Sequence, residues 1–163
     1  VYVDFTRDSS SLSVKSFRLQ GGDISGWNDD ETQPFEVYVG VDLAGPINGG
    51  AYKYLDMGLL ETSIQNLKTQ DGRMLTVYVM DFGTPEKAMN MFNDEKARMT
   101  DMARCPSFPG DVAVVDKSAI GGCTAIGHFG NFYFELMLYG YEDQEQAVAA
   151  ADLFMKVYQK KQK

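Results

Sequence analysis

The sequence predicts an α+β fold, in which a single antiparallel sheet of about six strands carries helices packed on one face. Short segments of alternating apolar and polar residues recur along the chain, with turn signals between them, as in strands that bury one face. Two of these segments lead directly into stretches with apolar residues at helical spacing. With 163 residues, 44% of them hydrophobic, the chain has the size of one domain that buries its own core.

Residues 1–34 are polar and weakly patterned, which predicts an N-terminal arm with a peripheral strand. The α+β domain proper is expected over residues 35–163, and the two parts should form one compact domain. Trp27 is the expected anchor of the arm. The acidic run at 28–31 has Ca²⁺-type ligands but lacks the spacing, turn glycine and closing glutamate of an EF-hand, so a solvated loop is favoured.

A short helix is predicted over residues 42–58. The residues that share its apolar face are Leu43, Ile47, Ala51, Tyr54 and Leu55. Asn48-Gly49-Gly50 interrupts this helix, and each interior glycine costs about 1 kcal/mol relative to alanine. Close packing against another backbone is favoured over a ligand cradle, because the Lys and Ser/Thr of a phosphate-binding loop are absent.

Six segments have the composition and alternation of strands. They are residues 35–39, 59–68, 74–80, 112–115, 123–128 and 132–138. Asp71-Gly72 separates the second from the third and is a strong hairpin signal. Gly130 marks a tight turn before the last, so most neighbours in sequence should pair antiparallel.

The third strand ends at Gly83 and is followed by a helix start. Thr84 fits the N-cap and Pro85 the first helical position, where a missing N–H is harmless. The apolar stripe that follows is Ala88, Met91, Phe92, Met99 and Met102. Glu95 interrupts this stripe, which should pack back onto the sheet.

A strand, a break and an acidic helix start follow Gly72. The same three features follow Gly130 in the same order. The second helical stripe is Ala147, Ala150, Ala151, Phe154, Val157 and Tyr158, and it ends in the cationic Lys160, Lys161 and Lys163. A duplicated unit is preferred, although convergence on a common β-β-α arrangement gives the same pattern. Duplication predicts that Ala88 and Ala147 both face the sheet and that Val77 and Leu136 both lie in the core.

Charge excludes two classes of partner. A net charge of −8 with a pI near 4.6 disfavours nucleic acid and anionic lipid surfaces. No apolar run approaches the roughly 18 residues that a membrane span needs. Because the chain begins at Val1, removal of a signal peptide or lipoprotein leader, or simple trimming of the end, is expected.

Cys105 and Cys123 leave two interpretations open. They could form a disulfide in an oxidising compartment. Equally, each could be a small buried hydrophobic residue, and this second interpretation is favoured because free cysteine is commonly buried.

Two motifs carry a resemblance to a known family. They are INGGAxxY at residues 47–54 and VYVMDFGxPExA at residues 77–88. The chain resembles the uncharacterised bacterial family called domain of unknown function 6599, over about residues 35–160. The family has a Tyr-Asp-Met-Gly type sequence where this chain has Met80-Asp81-Phe82-Gly83. The resemblance implies a bacterial exported protein or lipoprotein of the periplasm or cell envelope, with a lipid anchor as an option, and it implies no activity.

The sequence lacks the residues that several classes of enzyme and metal site require. His128 is the only histidine, and no Gly-x-Ser-x-Gly elbow is present, so a serine or cysteine hydrolase is disfavoured. One histidine and two widely spaced cysteines also lack the clustered pairs of zinc sites. No cofactor or metal is therefore expected.

Two acidic residues stand out as candidates for a site. Asp81 lies at a strand end, and Glu95 interrupts an apolar stripe with Arg98 three residues on. A helix-dipole contact or a rim salt bridge is the simpler explanation of each. The complete candidate binding set is Asn48, Gly49, Gly50, Tyr54, Asp81, Glu95 and Arg98.

The favoured function is that of a non-catalytic, exported or envelope-associated module that binds a small ligand or a protein partner. The alternative is an enzyme that acts on a small substrate with carboxylates and backbone groups around Asp81, Glu95 and Asn48. A closed pocket that touches these polar groups would favour the enzyme, and a flat aromatic face would favour the binding module.

Overall fold

The alternating segments pair into one eight-stranded sheet in the computed structural model, which describes residues 12–47 and 50–163. The strands are β1 Asn28–Asp29, β2 Glu36–Val39, β3 Glu61–Lys68, β4 Met74–Asp81, β5 Met102–Arg104, β6 Ala113–Asp116, β7 Cys123–Phe129 and β8 Phe132–Tyr139. Their order is β1-β3-β4-β8-β7-β6-β5, and β2 also pairs with β3. Every pair is antiparallel.

All six predicted strands are present, but the predicted number is wrong. The two additional strands, β1 and β5, have two and three residues and lie at the edges of the sheet. Alternation cannot be recognised over so few residues. Their positions were therefore not predicted, although β1 lies in the arm for which a peripheral strand was expected.

The helices are α1 Ala44–Ile47, α2 Ala51–Asp56, α3 Pro85–Lys96 and α4 Gln144–Lys161, with 3₁₀ turns at Val14–Phe17 and Gly40–Leu43. The helix predicted over 42–58 is thus a 3₁₀ turn and two short helices. The third helix ends at Lys96, so the prediction that its stripe extends to Met99 and Met102 is wrong. Met102 instead begins β5.

Both long helices begin at a side-chain cap, and the cap of α3 is the predicted Thr84. Thr84 Oγ1 accepts a hydrogen bond from Lys87 N at 3.3 Å, and Pro85 is the first residue of α3. Asp143 Oδ1 accepts one from Glu145 N at 3.0 Å at the start of α4. Each cap satisfies an amide that has no partner within the helix.

The prediction that the helices pack on one face is wrong, because α3 and α4 cover opposite faces. The face under α4 carries Val77, Phe134 and Leu136, while the face under α2 and α3 carries Met80 and Tyr133. Both sets of alternating residues in β4 and β8 are therefore mostly apolar or aromatic, with Thr76, Asp81 and Glu135 as the exceptions. A sheet with two such faces needs cover on both sides.

The repeat prediction is confirmed for burial. Ala88 and Ala147 are fully buried against the sheet, and Val77 pairs with Leu136 across β4 and β8 with both side chains in the core. The two alanines nevertheless face opposite sides of the sheet. The two β-β-α units thus differ in the side that their helix covers.

The described part of the predicted N-terminal arm, residues 12–34, contributes to the core. The ring of Phe17 lies 4.7 Å from that of Phe132 and 5.0 Å from that of Phe134. Trp27 packs edge-on against Phe154 of α4 at 5.2 Å, as expected of an anchor. Residues 1–11 lie outside the described residues.

None of the helices in the described ranges combines the length and the hydropathy of a membrane span.

Candidate functional site

The centre of the candidate site is supplied by β8, whose residues alternate between the two faces. Phe134 and Leu136 face α4, whereas Tyr133 and Glu135 face α3. Glu135 is the one charged residue in this strand. Removing a carboxylate from water in the middle of a central strand is costly, so its presence needs an explanation beyond folding.

Glu135 lies among groups that control its protonation. It is paired in register with Tyr78 of β4 and Ile126 of β7. The hydroxyl of Tyr133 donates a hydrogen bond to Glu135 Oε1 at 3.1 Å. Burial raises the pKa of Glu135 and the charge of Glu95 raises it further, against the opposing effects of the Tyr133 hydrogen bond and Lys53.

Glu95 reaches the site from α3 and is held there by Lys53 of α2. The Lys53 ammonium contacts Glu95 Oε1 and also lies 2.9 Å from Asp94 Oδ2. Arg98 pairs with the same Asp94 oxygen at 3.3 Å. Glu95 interrupts the apolar stripe of α3 because its carboxylate takes part in this network.

Lys53 remains positively charged in spite of its position. Burial lowers the pKa of Lys53, but its hydrogen bonds to Glu95 and Asp94 outweigh burial and leave the pKa above its ordinary value. The ammonium therefore links α2 to α3 by charge as well as by packing.

Three tyrosines surround the acid. Burial raises the pKa of Tyr54, Tyr78 and Tyr133, and the negative charge of Glu135 raises each one further. Their hydroxyls thus stay protonated at neutral pH. They supply hydrogen-bond donors around a carboxyl group that can accept them.

A small cleft opens beside Glu135, between the end of α3 and strands β6, β7 and β8. Its volume is about 130 Å³, and its lining residues are Glu95, Arg98, Met99, Asp116, Thr124, Ile126 and Glu135. We call it the Glu135 cleft. It has room for one small polar group, which would meet carboxylates, a hydroxyl and a guanidinium on an apolar base.

The structure brings part of the predicted binding set together. Glu95 and Arg98 line the Glu135 cleft, and the pKa of Tyr54 responds to the charges of Glu135 and Glu95. Asp81 is paired with Phe132, on the face that α4 covers, and its Oδ1 accepts a hydrogen bond from Gly83 N at 2.8 Å. A site that joins Asp81 to Glu95 is therefore not formed.

The segment Asn48-Gly49-Gly50 of the predicted binding set does not reach the Glu135 cleft in the part that the structure describes. Asn48 and Gly49 lie outside the described residues. Gly50 is exposed at the start of α2, and a Cβ added to it would meet only Ile47 Cγ2, at 3.4 Å. The prediction of a tight backbone crossing at Gly50 is therefore wrong.

Sequence reasoning missed Glu135, Lys53, Tyr78 and Tyr133. A signal for Glu135 was present, since it is the one charge within FYFELMLY of β8. Lys53 had no local signal because its partners are about 40 residues away in sequence. Only the fold brings them together.

Cys105 and Cys123 are both buried and unbridged in the structure. Burial raises the pKa of each thiol to about 12. Neither thiol is thus a reactive thiolate at neutral pH. The disulfide that the sequence left open is not formed here.

His128 has a packing environment. Its ring centroid lies 4.7 Å from that of Phe92 of α3, and burial lowers its pKa, an effect opposed by a hydrogen bond to the backbone of Asp111. The imidazole thus has a packing role against a core aromatic ring.

The acidic run at 28–31 begins in β1 and continues into a turn. Asp30 is 8% exposed, and its carboxylate accepts hydrogen bonds from Thr32 N and Gln33 Nε2, each at 3.1 Å. Across residues 12–47 and 50–163, no group of three or more His, Cys, Asp and Glu side chains is arranged to hold a metal ion.

Comparison with known proteins gives one fold relationship. The chain is similar to a crystal structure of the extracellular domain of PknH from Mycobacterium tuberculosis, with a TM-score of 0.53 and 13% sequence identity. The match covers 88% of this chain and 94% of that one. No protein-family model and no curated protein matches the sequence. The likeness is one of fold.

Proposed function

We propose that this chain is an exported, non-catalytic binding domain whose ligand site is the Glu135 cleft. The observation that carries the proposal is Glu135 itself, a largely buried carboxyl group on the central strand beside a cleft. Charged groups that lower the stability of their own strand are found preferentially where function requires them.

The chemistry of the cleft indicates the kind of ligand. The protonated Glu135 carboxyl can donate one hydrogen bond and accept others, and its ionised form accepts from a cationic or hydroxyl group. Arg98 and Thr124 line the same cleft. A small polar ligand, or one polar side chain of a partner protein, fits a volume of about 130 Å³.

A binding role is favoured over the enzyme alternative because the catalytic set does not assemble. Asp81 and Glu95 lie on opposite faces of the sheet. The Glu95 carboxylate is held in an ion pair with Lys53. What supports a binding domain is one acid with hydrogen-bond donors around it, at a cleft that the other predicted carboxylate, Asp81, does not line.

Binding can be tested by native mass spectrometry of the protein purified gently from its own cells. We expect a co-purifying small molecule on the wild type and at least a tenfold loss of that adduct in Glu135→Gln, since glutamine keeps the volume and still accepts from Tyr133. Glu86→Gln, an exposed acid on α3, is the matched control and should retain the adduct. Absence of any adduct on the wild type, or its equal retention in Glu135→Gln, would contradict the proposal.

The same experiment separates binding from catalysis. The captured molecule should keep its mass after incubation with fresh protein, and conversion to a product would favour the enzyme alternative.

Export is proposed from the resemblance seen in the sequence and from the fold shared with an extracellular domain. Fractionation of cells that express the complete natural gene should place the protein in the envelope or medium. Recovery in the cytoplasmic fraction alone would contradict this part of the proposal.

A further inference from the structure

A second concavity lies on the other side of the sheet, at the edge formed by β1 and β3. Its volume is about 240 Å³. The lining residues are Leu19, Gln20, Gly21, Ile24, Trp27, Asn28, Asp29, Glu31, Leu67 and Phe154. We call it the Trp27 pocket. It shares no lining residue with the Glu135 cleft.

The walls of the Trp27 pocket are fixed by one buried amide. Gln65 of β3 is 3% exposed and brackets Leu19, with Leu19 N donating to Gln65 Oε1 and Gln65 Nε2 donating to Leu19 O, both at 2.9 Å. The same Nε2 also donates to Asp29 Oδ1 at 2.8 Å. A single buried side chain thus sets the distance between the Leu19 wall and the Asp29 carboxylate.

A second set of contacts holds the loop between these walls. Gln20 N donates to Asp23 Oδ2 at 2.8 Å, and Lys161 of α4 pairs with Asp23 at 3.1 Å. Trp27 packs edge-on against Phe154 of the same helix. The pocket is therefore built in advance of any ligand, which lowers the entropy cost of binding.

The charges of the pocket have one sign. Asp29 and Glu31 are its charged lining residues, and the lining contains no lysine or arginine. Arg18 approaches Asp29 Oδ2 at 3.5 Å from outside the lining, in a pair whose side chains are both more than 40% exposed. Such an exposed pair is weak, so a cation in the pocket can compete for the carboxylate.

Aromatic surface and carboxylates together select for one chemical class. Tryptophan is the best of the aromatic side chains at attracting a cation to its ring, and carboxylates add to the attraction. An apolar base of Leu19, Ile24, Leu67 and Phe154 suits a ligand that carries carbon around its charge. We propose that the Trp27 pocket binds a small organic ammonium ion.

The test uses Trp27 as its own probe, because the chain has a single tryptophan. Choline is titrated against ¹⁵N-labelled protein at constant ionic strength, and the one indole N–H cross-peak is followed. The matched ligand is 3,3-dimethylbutan-1-ol, the neutral isostere of choline. We expect a saturable shift with choline and at least tenfold weaker binding of the isostere.

Two substitutions test whether the carboxylates of the Trp27 pocket are responsible for the binding of choline. Asp29→Asn keeps an oxygen that can accept from Gln65, and Glu31→Gln changes an exposed side chain, so the fold should survive both. We expect the double variant to bind choline at least tenfold more weakly and the isostere with unchanged affinity. Glu36→Gln, a change of an exposed acid on β2 outside the pocket, should bind choline as the wild type does. If the double variant melts early, Glu31→Gln alone supplies the comparison, with an expected loss of threefold or more.

Two results would overturn the inference. One is equal binding of choline and its neutral isostere, which would identify a pocket for neutral ligands. The other is the absence of a saturable shift on the wild type. Because Glu135 takes no part in these measurements, their failure leaves the proposed role of the Glu135 cleft untouched.

Discussion

Burial and the charge of Glu95 both favour the protonated form of the Glu135 carboxyl and raise its pKa. A folded-state pKa above the unfolded value contributes stability that is complete below the unfolded pKa, near 4.5, and is lost as the pH rises through the folded pKa. The wild-type protein should therefore lose stability relative to a neutral variant between weakly acidic and neutral pH.

Glu135→Gln tests this sign directly. We expect the variant to raise the free energy of unfolding, measured by urea denaturation, more at about pH 7 than at about pH 4. Glu86→Gln should produce a small change that is the same at both pH values, because this side chain is exposed. An equal gain for Glu135→Gln at both pH values would show that the ionised carboxyl is not destabilised by its surroundings.

The two cysteines give a second prediction for single side chains. Burial raises the pKa of both thiols to about 12, so a thiol reagent at about pH 8 should leave the native protein unmodified. After unfolding without a reductant, two thiols should react, as the structure has both free. Failure to detect a thiol in the unfolded protein would show that a disulfide forms in the cell.

A candidate site residue could be recognised from the sequence where a charged side chain interrupted a run of apolar residues. Glu95 stood out because it breaks an apolar stripe, and the structure explains it through Lys53. Glu135 breaks the apolar pattern of β8 in the same way and was missed because strands tolerate a polar residue on alternate positions. The prediction for Gly50 is wrong because it explained the energetic cost of a glycine within a helix by close packing, whereas Gly50 is exposed.

Gly122, directly before β7, lies close to the backbone of β8. A Cβ added to Gly122 would lie 1.7 Å from Leu138 O, which is backbone and cannot move aside without opening the sheet. Gly122→Ala is therefore expected to destabilise the protein by about 3 kcal/mol or more, measured by urea denaturation. Gly45→Ala in α1 is the control, because a Cβ there meets nothing within 4 Å and alanine should be neutral or stabilising by up to about 1 kcal/mol. Similar effects of the two substitutions would mean that the sheet relaxes easily at Gly122.

The longer helices and strands could be predicted from the sequence, and the shortest strands could not. The six longer strands follow from alternation and the start of α3 follows from Thr84 and Pro85, which are local signals. The choice of face for α3 and α4 could not be predicted in this way, because both faces of the central strands are mostly apolar or aromatic. Local pattern alone cannot assign a helix to one of two similar faces.

The whole molecule depends on a core that is continuous across its central pair of strands. Leu136 is fully buried opposite Val77, beneath α4. Leu136→Ala should lower the free energy of unfolding by about 2–5 kcal/mol. Leu153→Ala on α4 provides the same chemical change at a side chain that is 45% exposed, and should cost about 0.5 kcal/mol or less. Equal melting temperatures for Leu136→Ala and the wild type would contradict the assignment of the α4 face.

The place of β4 beside β8 also determines how the chain must fold in time. Val77 and Leu136 are about 60 residues apart in sequence, whereas the β3–β4 and β7–β8 hairpins each close a short loop. The hairpins can form early, but joining them requires closure of a long loop that contains α3, β5 and β6. We expect this joining to be the slow step of refolding. Substitutions along the β4–β8 seam should therefore slow folding itself, while those at the β1 and β5 edges should mainly speed unfolding.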